Sequence, residues 1–495
     1  MSEDGHEVAS YGDWEPVIGL EVHAQLLTES KLFCGCSARF GAAPNAHTCP
    51  VCMGFPGVLP VLNERALEYA LRTGVATGCR IPPLARWARK NYFYPDLPKG
   101  YQVSMFDEPL AVEGFVEIDT TDGRKRVRLT RIHMEEDAGK SIHDAHDAHS
   151  LVDLNRTGVP LMEIVSEPDI SSPAEAGAYL RALRSILQYL EVCDGNMDEG
   201  SFRCDANVSV RRVGATELGT RTEIKNMNSF RSVERAIDSE IQRQIELIED
   251  GGRVVQETRN WDADRGRSTP MRSKEHAHDY RYFPEPDLLP LEVDPARVET
   301  LREGLPELPR ARRQRFREEY GLPEYDAEVL TARRDLADYF ETAVSAHANA
   351  KSMSNWVMGD ILRLVREERL DDDLVIERWP VPPEHLARLV HLIDDGTISG
   401  KIAKTVFEEM HESGDDPAEI VERRGLRQVT DEGAITSAVD AVLEQHPDKV
   451  EEFRGGKEKL LGFFVGQVMK ATGGKANPKA VNQILRARLG SPEAG

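Results

Sequence analysis

The chain has 495 residues, 40% of them hydrophobic and 30% charged, and its formal net charge is −23. This length predicts two or three domains, with enough apolar residues for buried cores. No run reaches the roughly 18 apolar residues that a membrane span needs, and residues 1–5 lack the basic start of a signal peptide, so a cytoplasmic protein is expected.

The first predicted element is a strand at residues 17–23. Strand alternation places apolar side chains on one face and two residue types that bind metals, Glu21 and His23, on the other. We expect the apolar face to pack against a core and the polar face to bind a ligand.

Two cysteine pairs follow this strand, Cys34 with Cys36 and Cys49 with Cys52. Short pairs among turn-forming residues can deliver four sulfurs to one tetrahedral zinc ion, and a cytosolic chain would not keep disulfides. His47 lies between the pairs, but it is not needed to complete four ligands. The spacing therefore predicts a structural zinc site.

Two segments, residues 89–102 and 278–287, mix aromatic rings, charges and prolines. Rigid loops of this composition can stack on a base or ribose and pair with phosphate, although the same pattern also occurs where rings pack around a proline turn. Neither contains a Gly-rich phosphate loop, so any ATP site here lacks the Walker and Rossmann fingerprints.

Carboxylates cluster at residues 133–140 and again at the end of residues 153–163. Carboxylate oxygens are the ligands that Mg²⁺ prefers, together with water and substrate phosphates. The alternative is that such acidic runs are exposed loops. Three nearby histidines, His143, His146 and His149, are interpreted as an exposed loop.

Up to about residue 293 the chain alternates short strand-like runs with helices such as residues 172–189 and 229–249. This mixture predicts an α+β domain with a largely antiparallel sheet. After residue 293 the segments are charged, helix-periodic and separated by prolines, which predicts helical domains.

The end of the chain is locally basic. Residues 454–490 contain one acid, Glu458, and eight bases: Arg454, Lys457, Lys459, Lys470, Lys475, Lys479, Arg486 and Arg488. A basic patch of this kind binds nucleic-acid phosphates, or alternatively only keeps a small helical domain in solution. The rest of the chain is rich in acids and poor in lysine, which is typical of proteins that work at high salt, so we expect a halophilic source, and net charge then does not exclude RNA.

Several long strings resemble the B subunit of the tRNA-dependent amidotransferase, the GatB family. They are VIGLEVH (17–23), RKNYFYPDLPKGYQ (89–102), MEEDAGKS (134–141), GVPLMEIVSEPD (158–169), RCDANVS (203–209) and HDYRYFP (278–284). In the closing part, GTISGKIAK (396–404) and LGFFVGQVMKAT (461–472) resemble the YqeY-type tail of the same family.

The resemblance implies a catalytic cradle domain with zinc knuckles at 1–294, an all-α helical domain at 295–410 and a YqeY-type tRNA-binding tail at 411–495. It also implies a heterotrimer in which the partners are an amidase, the A subunit, with a small C subunit, and no membrane or DNA. The implied reaction uses ATP and Mg²⁺ to phosphorylate the side-chain carboxylate of Glu-tRNA(Gln) or Asp-tRNA(Asn). Ammonia from the glutaminase partner then displaces phosphate.

Carried over to this chain, the resemblance implies His23, Glu136 and Glu163 as magnesium ligands and catalytic residues, with Glu21 as a further candidate. Strand alternation instead favours Glu135 over Glu136. The implied cofactor-binding residues are Lys90, Tyr92, Lys99 and Tyr101. The implied tRNA contacts are Lys457, Lys459 and Lys470.

Two alternatives compete with this interpretation. The glutamate-specific paralogue GatE has an added domain between cradle and tail, for which this chain has no room at residue 295. A zinc-stabilised tRNA-binding module without chemistry would not carry the carboxylate clusters. The sequence does not determine which mischarged tRNA is the substrate.

Overall fold

The structure is a computed structural model that describes residues 11–142, 149–271, 280–367, 379–428, 432–473 and 476–490. His143, His146, Lys475 and residues 278–279 of the second aromatic segment lie outside the described residues. The chain divides into two compact units, Met1–Ala311 and Arg312–Gly495. Among the described residues, no helix is both long and apolar enough to cross a lipid bilayer.

The first unit is built on a mixed set of strands and helices. Its strands are β1 (Trp14–Gln25), β2 (Leu84–Asn91), β3 (Tyr101–Glu108), β4 (Ala111–Thr120), β5 (Gly123–Glu136), β6 (Lys140–Ile142), β7 (Leu151–Asp153), β8 (Pro160–Ser166), β9 (Phe202–Arg212), β10 (Thr222–Met227), β11 (Thr258–Asp262), β12 (Arg267–Pro270), β13 (Phe283–Pro284) and β14 (Leu291–Glu292). Its helices are α1 (Glu64–Ala76), α2 (Pro173–Tyr189), α3 (Phe230–Glu249) and α4 (Pro295–Glu303).

Twelve of these strands form one sheet with the order β12-β11-β10-β9-β1-β8-β5-β3-β2-β13, to which β4 adds beside β5 and β14 beside β2. The β10–β11 pair is parallel, and the other pairs of this sheet are antiparallel. Strands β6 and β7 form a separate hairpin. The predicted α+β domain with a largely antiparallel sheet is confirmed.

The core of this unit lies where the apolar face of the sheet meets α1, α2 and α3. Ile18, Leu20 and Val22 of β1 are fully buried there, as strand alternation predicts. Helix α2 begins where the Ser172 side chain accepts a hydrogen bond from the Glu175 backbone N–H. The other face of β1 is left to polar residues.

The second unit is helical, as predicted. Helix α5 (Pro309–Tyr320) spans the boundary and is followed by α6 (Glu324–Thr331), α7 (Arg334–Ala346), α8 (Ala350–Trp356), a π-helical segment (Val357–Ile361), α9 (Leu362–Glu367), α10 (Pro383–Asp394), α11 (Gly400–Ser413), α12 (Pro417–Arg423), α13 (Glu432–Gln445), α14 (Pro447–Arg454), α15 (Leu460–Ala471) and α16 (Pro478–Leu489).

These helices enclose two apolar cores. The first extends from Phe316 to Val421, and the second from Ile435 to Leu489. The change of core therefore falls after α12, and the boundaries at 294 and 410 stay predictions.

Asp137 joins three segments of the first unit at the end of β5. Its buried carboxylate accepts hydrogen bonds from Gln25 of β1 at 2.8 Å and from Arg203 of β9 at 3.0 Å. Arg156 lies 3.7 Å away. Burial raises the pKa of Asp137, but the charges of Arg203 and Arg156 outweigh burial and hold it below its ordinary value.

We expect Asp137→Asn to lower the free energy of unfolding by about 1–3 kcal/mol, because two guanidinium groups lose their shared anion. Since the folded pKa is lowered, this contribution is present above the unfolded pKa of about 3.9 and is lost as the pH falls below it. Urea unfolding of the variant at pH 7 and at pH 3 measures both effects. The exposed Asp264→Asn is the control, and equal stability of the two variants at pH 7 would contradict the expectation.

Candidate active site and metal centre

A histidine and two carboxylates meet on the polar face of the sheet. The register of β1, β8 and β5 places His23 opposite Glu163 and Glu163 opposite His133, and Glu135 follows two residues later on the same face. One ligand atom each from His23, Glu135 and Glu163 lies within 4.8 Å of the other two. His23 Nε2 is 3.3 Å from a Glu163 oxygen.

Neighbouring hydrogen-bond donors hold the Glu135 carboxylate in place. Its carboxylate accepts hydrogen bonds from Ser104 Oγ at 2.8 Å and Gln102 Nε2 at 3.0 Å, and His133 Nε2 lies 3.1 Å away. Burial and the charge of Glu163 raise the pKa of Glu135, but His133 and the charge of Lys90 together lower it, and the net shift is downward. This carboxylate is held ionised in one orientation.

Glu163 is ionised for a similar reason. Burial raises its pKa, whereas the charges of His133, His23 and Arg131 together bring the pKa below its ordinary value. For His23, burial lowers the pKa, and the hydrogen bond and charge of Glu163 raise it more. Two ionised carboxylates beside an imidazole fit a divalent cation, and Mg²⁺ accepts such carboxylates with water and phosphate oxygens in its other positions.

Glu136 does not lie in this group. Its carboxylate contacts the Lys99 ammonium group and accepts a hydrogen bond from the Val103 backbone N–H at 3.0 Å. Consecutive residues of a strand point to opposite faces, so Glu135 and Glu136 serve different sites. Glu135, which strand alternation favours, lies in the group with His23 and Glu163, whereas Glu136, which the resemblance implies, does not.

The four residues expected to bind a cofactor lie at two different places. Lys90 is close enough to Glu135 to lower its pKa, and burial beside Glu135 raises the pKa of Tyr92. Lys99 and Tyr101 instead line a cavity of about 200 Å³ together with Glu136. The structure therefore does not bring all four to one site.

A second cavity, of about 180 Å³, begins beside Glu21. Glu21 lies two residues before His23 on the same face of β1 and accepts a hydrogen bond from Asn207 at 3.0 Å. Burial and the nearby charges of Glu163, Glu223 and Asp205 raise the pKa of Glu21. The cavity is lined by Val17, Gly19, Leu20, Glu21, Val165, Ser166, Pro168, Asn207, Ser209, Leu218, Gly219 and Arg221.

Two cations of the string RTEIK lie along this edge. Arg221 lines the cavity with an exposed side chain, and in the described part of the chain no acid lies within 4.0 Å of it. Lys225 contacts Asp205 at 2.5 Å and Glu223 at 3.0 Å. The sequence pattern alone does not predict this cavity, because only the sheet order brings β10 near β1.

The four cysteines form a compact group of sulfur atoms. One sulfur from each lies within 4.8 Å of the others, and those of Cys49 and Cys52 are 3.9 Å apart. In a tetrahedron with zinc–sulfur distances of about 2.3 Å, the sulfurs are roughly 3.8 Å apart. The group can therefore hold a zinc-like metal ion.

The thiols of this group perturb one another. Contact with Cys34 lowers the pKa of Cys52 to about 4, while the same contact and burial raise the pKa of Cys34.

Of the predicted tRNA contacts, Lys457 and Lys459 lie in the turn between α14 and α15, and Lys470 lies in α15. Lys457 pairs with Glu452 at 3.2 Å, and Arg488 pairs with Asp440 at 3.0 Å. Lys459 and Lys470 have no acid within 4.0 Å among the described residues. Acids from α13 and α14 thus neutralise part of the basic patch, which the local sequence does not reveal.

Comparison with known proteins matches nearly the whole chain. The family described as GatB/GatE catalytic domain matches residues 16–299, and the GatB domain matches residues 338–489.

Among curated proteins, the chain is similar to the B subunit of aspartyl/glutamyl-tRNA(Asn/Gln) amidotransferase from three organisms. Identity is 57% for Solidesulfovibrio magneticus, with 96% of this chain and 99% of the relative covered. It is 56% for Thermodesulfovibrio yellowstonii, covering 95% and 98%, and 58% for Moorella thermoacetica, covering 96% and 100%. The chain belongs to the GatB family of tRNA-dependent amidotransferase B subunits.

Proposed function

We propose that this chain uses ATP to activate the side-chain carboxylate of Glu-tRNA(Gln) or Asp-tRNA(Asn) and passes the activated group to ammonia. The observation that carries the proposal is the adjacency of two features on one sheet face. The His23, Glu135 and Glu163 group suits a divalent cation, and the cavity beside Glu21 suits a nucleotide.

The cavity has the composition that an adenosine site needs. Val17, Val165, Pro168 and Leu218 supply apolar surface for a base, and Glu21, Asn207 and Arg221 supply polar groups. Two residues along a strand advance about 6.6 Å, so phosphates that extend from this cavity along β1 pass Glu21 and reach His23.

Arg221 is the side chain that we assign to the phosphates on this path, because it lines the cavity. A guanidinium group without an acidic partner can form bidentate contacts with phosphate oxygens. In this assignment Lys90 and Tyr92 belong to the cation site. Lys99 and Tyr101, which line the other cavity, are not assigned to ATP.

We assign a two-step reaction to this site. A side-chain carboxylate oxygen of the aminoacyl-tRNA attacks the γ-phosphorus, the bond to the bridging oxygen breaks, and ADP leaves. Ammonia then attacks the acyl carbon, phosphate leaves, and the nitrogen loses a proton to give the amide. Bound Mg²⁺ would offset the repulsion between carboxylate and γ-phosphate.

The residues of the chain fix this arrangement. Ser104, Gln102 and His133 hold Glu135, and His133 with Arg131 holds Glu163 in place. The ligands therefore need little reorganisation when the cation and nucleotide bind.

We assign glutamine hydrolysis and assembly of the complex to partner subunits. The relatives are named as the B subunit of an amidotransferase, so we assign glutamine hydrolysis to an amidase, the A subunit, and assembly to a small C subunit. Zinc at Cys34, Cys36, Cys49 and Cys52 is assigned a structural role, because four thiolates leave no open position for chemistry. The lysines of the tail are assigned to tRNA phosphates.

We expect Glu135→Gln to raise the Mg²⁺ concentration for half-maximal activity about 10–100-fold, because a charged ligand is lost. Glu136→Gln is the matched control and leaves the Mg²⁺ requirement unchanged. The measurement is ADP formation by the heterotrimer with Glu-tRNA(Gln) and with Asp-tRNA(Asn). A raised requirement only in Glu136→Gln would contradict the assignment, and no ADP with either tRNA in the wild type would favour an RNA-binding module without chemistry.

Arg221→Met should raise the KM for ATP about 10–100-fold, since a charged hydrogen bond to phosphate contributes about 1.5–3 kcal/mol. The exposed Arg253→Met removes the same charge away from the cavity and serves as the control. ADP formation at saturating tRNA measures both variants. If the KM for ATP is unchanged and the KM for tRNA rises instead, the cavity binds the terminal adenosine of tRNA and not ATP.

Lys459→Ala and Lys470→Ala should each weaken tRNA binding and reduce the salt slope of log Kd by about 1 for each lost phosphate contact. Lys457→Ala should have a smaller effect because this lysine is paired with Glu452. Filter binding of tRNA to the heterotrimer across a KCl series measures the slopes. Identical slopes for wild type and all three variants would remove tRNA binding from these lysines.

A further inference from the structure

Lys31 is a fully buried lysine beside the cysteine group. Its ammonium group donates a hydrogen bond to the His47 carbonyl oxygen at 2.7 Å, and it lies 3.4 Å from the Leu154 carbonyl oxygen and 3.7 Å from Cys52 Sγ. No carboxylate lies within 4.0 Å of it anywhere in the described ranges. Within the part of the chain that the structure describes, the only group beside this buried charge that can become anionic is therefore a thiol of the cysteine group.

The two charges compensate each other. A buried ammonium group is costly without an opposite charge. Four thiolates around one Zn²⁺ carry two more negative charges than the ion neutralises, and this excess is also costly away from water. One further donor reaches the same sulfur, the Cys49 backbone N–H at 3.2 Å. Lys31 supplies the only full positive charge that the described residues place against the group.

The same lysine links the cysteine loop to the loop before β8. Asn45 N–H donates to Asp153 at 3.0 Å, Leu154 N–H donates to Asn45 at 2.9 Å, and His47 N–H donates to Asn155 at 2.8 Å. The buried Lys31 ammonium group adds a contact with the Leu154 carbonyl oxygen. The two loops are thus joined by hydrogen bonds at the surface and by one cation at the centre.

Gly158, at the end of the second loop, shows how close the packing is. Its φ is +81°, and a Cβ there would lie 3.6 Å from the Cys52 Cβ and 3.7 Å from the Lys31 Cδ. Gly158 also lies two residues before β8, the strand that carries Glu163. The cysteine group therefore lies beside the start of β8.

We propose that Lys31 is a positioning residue of the zinc centre: its ammonium group compensates the excess thiolate charge and holds the loop of residues 153–158 against Cys52. The proposal rests on the assignment of zinc to the four cysteines and is independent of the ATP site.

Zinc affinity and cobalt spectra test the proposal. In the full chain purified with its partner subunits, Lys31→Gln keeps a hydrogen-bond donor but removes the charge, and Lys31→Arg keeps the charge. We expect Lys31→Gln to raise the zinc Kd about 10–100-fold, measured by competition with a chromogenic chelator, and to shift the thiolate-to-cobalt charge-transfer band of the Co²⁺ form. Lys31→Arg should stay within about threefold of the wild type.

Asn45→Ala separates charge from loop bracing, because it removes the side-chain hydrogen bonds of Asn45 with Val152 and Leu154 and no charge. It should leave the cobalt band unshifted. A zinc Kd and cobalt band of Lys31→Gln equal to those of the wild type would overturn the proposal, as would equal losses in the Gln and Arg variants. If Lys31→Gln does not purify as a folded protein by circular dichroism, Lys31→Arg decides alone: a loss of 10-fold or more overturns the proposal, and retention supports it. A wild type that binds no zinc would overturn it as well.

Discussion

The antiparallel register of β5, β8, β1 and β9 determines the chemistry of the first unit. It sets His133, Glu163, His23 and Arg203 side by side in one row across the sheet. A slip of one residue in any of these pairs would turn its side chains to the opposite face. The fully buried apolar face of β1 prevents such a slip, because it would expose Ile18, Leu20 and Val22 to solvent. The hydrophobic core thus fixes the polar site.

The site depends equally on charge compensation in a region with little water. Each buried carboxylate there has a cation or a set of donors, as Glu163 has the two histidines and Arg131, and Asp137 has two arginines. At the cysteine group the signs are reversed, because the buried charge is the cation Lys31 and the group beside it is the sulfur of Cys52. These pairs cost desolvation free energy and fix the orientation of the side chains, which suits the proposed binding of a cation and a polyanion.

Much of this architecture could be predicted from the sequence, and the limits have physical causes. Alternation along one strand identified Glu21 and His23, and cysteine spacing identified the metal group, because both signals are local. The choice between Glu135 and Glu136 was also local, and there the alternation argument agrees with the structure. The cavity at Arg221 and the burial of Lys31 depend on pairing between segments more than 100 residues apart, which one sequence does not reveal. An ion pair between α16 and α13 likewise neutralises Arg488 of the basic patch.

The central claim is that His23, Glu135 and Glu163 hold the catalytic cation. Electron spin echo spectroscopy of Mn²⁺ in place of Mg²⁺, on the heterotrimer, tests it most directly because it detects nitrogen bound to the metal. The account predicts a nitrogen coupling from one imidazole in the wild type, its loss in His23→Gln and its retention in Glu136→Gln. Absence of nitrogen coupling in the wild type, or its persistence in His23→Gln, would contradict the claim.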